Sequence, residues 1–232
     1  MNAVGNRILV VAAHPDDEVL GCGGSIARWA SEGHFVHILL LADGESARAR
    51  VKDGGDIAER IRHRHRAADE AAKILGITSI SRFSFADNRM DGVDLLDVIK
   101  AIESVIDAEK PDCVLTHHAG DVNVDHRVAQ DAVLAACRPQ PGHCVRQILF
   151  FEVPSSTEWR PPASGQIFAP NFFVDISDTL DAKLNALQAY RDELREFPHP
   201  RSLKAVEALA RWRGASSGVS AAEAFCVGRL VV

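Results

Sequence analysis

An α/β fold, built on a mostly parallel sheet flanked by helices, is predicted by two features of this 232-residue chain. Short apolar runs that do not alternate with polar residues recur through residues 1–150, as strands buried on both faces require. Stretches of helical period separate these runs, giving the βαβα rhythm of a parallel layer.

The first run is Ile8 to Ala13, followed by Phe35 to Ala42, a weaker Ser79 to Phe85, Cys113 to Thr116, and Ile148 to Val153. Helices are expected between them at 24–32, 57–75, 93–108 and 125–137. Gly33 and Gly76 stand where C-terminal caps belong, and Pro111 stops the third helix. The expected arrangement is Rossmann-like. Pro154, Pro161, Pro162 and Pro170 lie among Ser, Thr and Gly, so 154–170 reads as a long loop of the kind that often serves as a lid or binding loop. Phe172 to Ile176 then reads as a strand. Asp178 or Thr179 can cap a helix running to about Glu196, with Leu180, Leu184, Leu187 and Leu194 on one face. A helix over Arg201 to Arg213 and a strand over Phe225 to Val232 complete the chain, which has no internal repeat. One domain is expected over 1–232, with 154–232 supplying a substrate loop and C-terminal helices.

The chain has 26 basic and 32 acidic residues, a net charge of −6, and 47% hydrophobic residues. Such a chain has material for a core, and its acidic balance argues against nucleic acid as a partner. Its apolar runs fall far short of the roughly 18 residues of a membrane span, so no membrane partner is expected. Residues 1–7 lead straight into the first strand without the features of a secretory signal, which makes a cytoplasmic protein the expectation. The five cysteines are scattered and form no Cys-x-x-Cys pair; they read as reduced packing residues. A homo-oligomer is compatible with the sequence.

Chemistry concentrates at two strand ends. Ala13-His14-Pro15-Asp16-Asp17-Glu18 follows the first strand, at the carboxyl edge where open α/β sheets bind ligands. His14 and Asp17 supply one nitrogen and one oxygen, and a catalytic zinc takes three such protein ligands. The second cluster, Thr116-His117-His118-Ala119-Gly120-Asp121-Val122-Asn123-Val124-Asp125-His126-Arg127, follows another buried strand. His126 or one of His117 and His118 can be the third ligand, and Asp125 can orient an imidazole from behind.

The string AHPDDE, with Leu20-Gly21-Cys22-Gly23-Gly24-Ser25-Ile26-Ala27 after it and Asp125-His126 later, resembles the PIG-L/LmbE-like zinc N-deacetylases, which act on N-acetylglucosamine-type conjugates. The resemblance extends over Leu41 to Glu45, an Arg-bearing helix ending in Leu75-Gly76, Phe85-Ala86-Asp87-Asn88, and Asp121 to Arg127. It implies that His14, Asp17 and His126 bind Zn2+, other divalent ions also suiting such a set, and that Asp16 is the general base. The chemistry agrees: Asp17 has its charge committed to a metal, while Asp16 is the free carboxylate that can take a proton from water and return it to the amine.

One position departs from the family pattern. Several members carry a histidine three residues before the ligand histidine, where this chain has Asn123. Asparagine can donate a hydrogen bond to an oxyanion but cannot transfer a proton; if a protonated group is needed, His118 is the nearest candidate, a structural role being its other reading. Arg64 lies on the apolar stripe of Ile57, Ile61, Ala68, Ala72 and Leu75, where it needs a partner; the family places an arginine here near the substrate, and structural pairing is the competing reading. Asp87, His199 and Arg201 are further candidate substrate contacts, with the loop Glu152 to Trp159. The basic stretch Arg48, Arg50, Lys52, Arg60, Arg62, His63, His65 and Arg66 reads either as a solvated face, as most charge runs do, or as an attractor of a phosphorylated substrate, with a nucleotide- or phosphate-linked amino sugar the preferred small-molecule partner.

Three other readings compete. A dinucleotide site is disfavoured because the Gly21-x-Gly23 pattern continues with Ile26 instead of glycine. A non-catalytic zinc- or sugar-binding module is disfavoured by the free Asp16. The same hydrolysis on another acylated amine, such as an aminoglycoside or thiol-sugar precursor, stays open because motifs fix a reaction better than a substrate.

Overall fold

The structure is a computed structural model that describes residues 4–48, 54–161 and 166–232. Its order is β1 (Arg7–Ala12), α1 (Asp17–Ser31), β2 (Phe35–Ala42), α2 (Gly54–Leu75), β3 (Ser79–Phe85), α3 (Leu95–Glu109), β4 (Cys113–His117), α4 (Val124–Ala136), β5 (Gln147–Phe151), β6 (Phe172–Asp175), α5 (Leu180–Ala189), α6 (Leu203–Ser217) and β7 (Ala222–Leu230). One sheet has the strand order β3-β2-β1-β4-β5-β7-β6. The first five of these are parallel, and β7 runs antiparallel to both β5 and β6. The α/β, Rossmann-like expectation therefore describes the fold.

The unalternating runs have their cause in this two-sided burial. Along β1, Ile8, Val10 and Ala12 face a core shared with Ile26 and Trp29 of α1, Ala71 and Leu75 of α2, and Leu187 of α5. Leu9 and Val11 face the opposite core, against Val98 and Ile102 of α3 and Ala129 and Val133 of α4. Each such side chain contributes roughly 1.5–3 kcal/mol on burial, so β1 cannot slip by one residue without exchanging two filled cores. Cys22, Cys113 and Cys137 are buried and all five cysteines are free. Among the described residues no helix is long and apolar enough to cross a membrane.

Two helices differ from expectation. The first was expected at 24–32 but begins at Asp17, with a break at Cys22 (φ −149°, ψ 22°). The segment after the break has its own cap: the Glu223 carboxylate accepts from the Gly24 and Ser25 N–H groups at 3.0 and 2.7 Å. The glycines serve close packing, since a Cβ on Gly21 would lie 2.3 Å from the Phe151 ring and one on Gly24 would lie 2.7 Å from Ile176. The helix expected to run to Glu196 stops at Ala189, and Tyr190 (φ −94°, ψ 33°) turns the chain away. The reason is polar: Tyr190 and Glu193, both buried, have partners at the carboxyl edge of β1 that a continued helix would carry them past.

β1 and β4 are neighbours at the point where the chain reverses its direction of growth across the sheet. From β1 it proceeds outward through β2 and β3, then returns to β4 and proceeds the other way to β5. The two polar clusters therefore meet at a topological switch point, the usual ligand crevice of such sheets.

Candidate functional site

The turn after β1 and the segment after β4 bring His14, Asp17 and His126 together. Their donor atoms lie within 4.8 Å of one another, and all three residues are buried. Asp17 Oδ2 is 3.2 Å from His14 Nδ1 and 3.2 Å from His126 Nε2. It also accepts the His14 N–H at 2.9 Å, which closes the turn. Asp17 Oδ1 and His126 Nε2 have no hydrogen-bond partner despite complete burial. Buried polar atoms are rarely left so, and two of them on residues of one mixed nitrogen and oxygen set fit a divalent cation.

The far side of each imidazole is held by a carboxylate. Asp121 Oδ2 is 3.0 Å from His126 Nδ1. Asp125 Oδ2 is 3.0 Å from His14 Nε2 and accepts the Asn88 N–H at 2.7 Å, while its Oδ1 accepts the Met90 N–H at 2.9 Å. Asp125 thus orients His14 across the crevice and not its sequence neighbour His126. Burial disfavours a charged His126, but the Asp17 and Asp121 carboxylates outweigh it and lift the imidazole to about 9. Asp17 is held well below the usual carboxylate range, the neighbouring histidines overcoming its burial.

His117 and His118 take other positions. His117 Nε2 accepts the Ala13 N–H at 2.8 Å, and its ring stacks on His126 with centroids 3.9 Å apart. An imidazole whose Nε2 pins the β1 turn is not available as a ligand through that atom. Burial and the nearby His126 push His117 well below its ordinary value, so it is neutral. His118 Nδ1 accepts the Gly120 N–H at 2.9 Å and its ring meets Phe168 edge-on. Burial lowers its pKa as well, which disfavours the protonated form that the sequence reading required of it.

A cleft opens beside the cluster, lined by His14, Asp16, Gly44, Arg64, Asp87, Asn88, Asn123, Glu193 and Arg201. Asp16 adopts φ 120°, a conformation that costs a residue other than glycine roughly 1–3 kcal/mol. Its Oδ2 lies 3.0 Å from Arg201 Nη1 and 3.8 Å from Arg64 Nη1. Burial pushes its carboxyl up to about 6; Arg201 and Arg64 oppose the rise and the Asp17 charge adds to it.

Arg64 is structurally paired and also lines the cleft. Its Nε donates to Glu45 Oε1 at 2.9 Å, its Nη2 pairs with Glu193 Oε1 at 2.7 Å, and its Nη1 donates to the Pro15 carbonyl at 3.3 Å. Asp87 Oδ1 lies 3.1 Å from His14 Nε2. Asn123 caps α4 with its Oδ1 accepting the Asp125 N–H at 2.8 Å, so its NH2 is the group left for donation. His199 does not line the cleft: its Nδ1 accepts the Arg201 N–H at 3.1 Å and its ring packs edge-on to Trp159.

The basic stretch is largely neutralised where it is described. Arg60 pairs with Glu45, and Arg62 and Arg66 with Glu59. Arg50, Lys52, Pro162 and the side chain of Arg48 lie outside the described residues.

Four residues of the site had no role assigned from sequence. Asp121 stands in the quoted polar segment, and Glu45 in the Leu41 to Glu45 match, so both had a local signal. Tyr190 and Glu193 had none, because the periodicity carried a helix through them.

The family model described as GlcNAc-PI de-N-acetylase, PIG-L, matches residues 9–137, more than half of the chain. The chain belongs to the PIG-L family. It is 33% identical over 190 residues to YaiS of Escherichia coli K12, named an uncharacterized deacetylase, covering 79% of this chain and 90% of that one. It is 26% identical over 211 residues to diacetylchitobiose deacetylase of Thermococcus kodakarensis, covering 82% and 71%. It is also 31% identical over 214 residues to 4-oxalmesaconate hydratase of Pseudomonas putida KT2440, covering 85% and 78%. The fold is that of the N,N'-diacetylchitobiose deacetylase of Pyrococcus horikoshii, with a TM-score of 0.77 at 20% identity over 97% of this chain and 84% of that one. The residues that match the PIG-L model include His14, Asp16, Asp17 and His126, while Glu193 and Arg201 of the cleft lie beyond it.

Proposed function

We propose that this PIG-L chain is a metal-dependent amide hydrolase that removes the acetyl group from an N-acetylated amino sugar conjugate. The observation that carries the proposal is Asp16: a buried carboxylate at the cleft, next to the cluster yet outside its donor set, with its proton affinity raised to about 6. A carboxyl so poised suits a group that must accept and return a proton near neutrality.

His14, Asp17 and His126 would hold the ion, zinc being the first choice and another divalent ion compatible with the same donors. When bound, the ion supplies Lewis acidity to an amide carbonyl and acidity to water. Asp16 takes the proton of the attacking water and delivers it to the departing amine nitrogen. Arg201 fixes the Asp16 carboxylate by its Oδ2. Asp125 and Asp121 fix the two imidazoles, and the Asn123 NH2 donates to the developing oxyanion, a role that needs no proton transfer. Asp87 and Arg64 on the cleft wall are placed to meet sugar hydroxyl groups, as is Arg201 beside them; His199 contributes by holding the Arg201 backbone. Within this class a nucleotide- or phosphate-linked sugar is the preferred substrate, supported by the Arg64 and Arg201 guanidinium groups at the cleft and not by Arg60, Arg62 and Arg66, which pair away from it. The protein acts on a small molecule from the cytoplasm in this reading.

The test is acetate release from N-acetylglucosamine presented free, phosphate-linked, nucleotide-linked and as diacetylchitobiose, with zinc-loaded protein and a chelated control. Chelator-sensitive release that is lost in Asp16→Asn supports the reading. No release from any of them by metal-loaded protein overturns it. The 31% identity to a hydratase favours one second reading, addition of water to the double bond of an unsaturated carboxylate held by Arg64 and Arg201. Loss of the ultraviolet absorbance of a 2-hydroxymuconate-type diene, with no acetate release, would select that reaction.

A further inference from the structure

The turn at residues 190–193 grips Asp16 twice. Tyr190, 2% exposed, donates its hydroxyl to Glu18 Oε1 at 2.6 Å, and Glu18 Oε2 accepts the Asp16 N–H at 3.0 Å. Three residues on, Glu193 pairs with Arg64 Nη2 at 2.7 Å and lies 3.7 Å from Arg201 Nη1. Those two guanidinium groups are the ones beside Asp16 Oδ2. The Glu193 N–H bonds to the Tyr190 carbonyl at 2.8 Å, so both grips issue from a single closed turn.

We propose that this turn is the positioning device of Asp16, with Tyr190 acting through Glu18 on its backbone and Glu193 acting through Arg64 and Arg201 on its carboxylate. The inference rests on the reading of Asp16 as the proton acceptor. It concerns residues beyond the 9–137 stretch that the family model matches.

Packing alone does not account for this arrangement. A buried carboxylate at Glu18 is costly where an apolar residue of similar volume would be cheaper. Asp16 is held at φ 120°, a shape that its side chain disfavours and that persists only when the surroundings over-determine it. Its N–H is buried with the rest of the turn, and Glu18 is the acceptor that holds it in place. Without Tyr190 that acceptor loses its own anchor. The early end of α5 follows from the same requirement, since the turn exists where two polar side chains must reach the β1 edge.

The test combines amide hydrogen exchange with kinetics. In Tyr190→Phe the Asp16 amide, followed by NMR, should exchange about tenfold faster or more. Acetate release from N,N'-diacetylchitobiose should show kcat reduced by about 10–100-fold, in the range expected for a misplaced reacting group. KM and bound zinc per chain should not change. In Glu193→Gln the kcat should fall with the amide exchange unaltered, which separates the two grips. A Tyr190→Phe/Glu18→Gln double variant should be no slower than the slower single variant.

Wild-type amide exchange and wild-type kcat in Tyr190→Phe would overturn the inference. If that variant does not fold, full kcat in Glu193→Gln overturns it equally. An Asp16→Asn protein that retains turnover removes the proton-acceptor reading instead, and the amide exchange still decides whether the turn holds Asp16.

Discussion

Asp121 and His126 form a carboxylate–imidazole pair, 3.0 Å between Oδ2 and Nδ1, and the same carboxylate ties down the loop after β5. Its Oδ2 accepts the Thr157 hydroxyl at 2.9 Å, and its Oδ1 accepts the Asn123 N–H at 2.8 Å together with the Ser156 hydroxyl. Asp121→Asn keeps the shape but loses the charge that orients the ring. The expected outcome is a metal affinity about 10–100-fold weaker, measured by competition with a chromogenic chelator. An unchanged affinity would mean that His126 needs no such support.

His14→Ala and His126→Ala should each abolish stoichiometric zinc binding, while Asp16→Asn should keep it. His117→Ala should also keep it, because its Nε2 is used by the Ala13 N–H. The loss of that acceptor should instead cost stability, roughly 1–3 kcal/mol for a buried unsatisfied donor. Metal analysis of the four purified proteins, with denaturant midpoints, separates the roles.

Arg64→Met should destabilise the chain by roughly 3 kcal/mol, the low end for breaking a buried ion pair, since Arg60 and Arg201 remain near Glu45 and Glu193. Arg64→Lys should recover only part of this, because one ammonium cannot span Glu45, Glu193 and the Pro15 carbonyl as a guanidinium fork does. Urea titration of the three proteins reads the difference.

His37 supplies a pH dependence far from the cleft. Burial holds its pKa below the ordinary value, Arg7 acting in the same direction and Glu109 against it. Its ring nitrogens lie 2.6 and 3.0 Å from the Ser79 and Ser81 hydroxyls. The unfolded chain therefore binds the proton more readily, and stability contributed by neutral His37 is present above about pH 6.5 and declines as pH falls below it. His37→Gln should cost more Tm at pH 7.5 than at pH 5.5. A gap that is constant or widens toward acid would contradict the assignment.

The buried strands and the two polar clusters were legible because their signals are local: an unalternating run marks two-sided burial, and a carboxylate-rich turn at a strand end has no packing role. The break at Cys22 was not legible, since its cap is Glu223, 199 residues away from Gly24. Asp125 was recognised as an orienter, but its partner across the crevice depends on how β1 and β4 pair. The end of α5 was missed because Leu184, Leu187 and Leu194 keep helical period while Tyr190 and Glu193 answer to contacts with Glu18 of α1 and Arg64 of α2. His118 was given a chemical role from proximity in sequence, whereas successive residues leaving a strand point to opposite sides, and its ring meets Phe168 while that of His117 stacks on His126.

The switch point between β1 and β4 divides the labour of the chain by address. His14, Asp16, Asp17 and His126 sit on the turns and helix starts that follow the two central strands, while much of the far wall of the cleft, Glu193 and Arg201, is delivered by chain that follows the edge strand β6 and α5. The two imidazoles are held by Asp125 and Asp121 from within the first stretch, whereas Asp16 is held from the second through Arg201, so a change in the outer chain reaches the proton acceptor before it reaches the histidines.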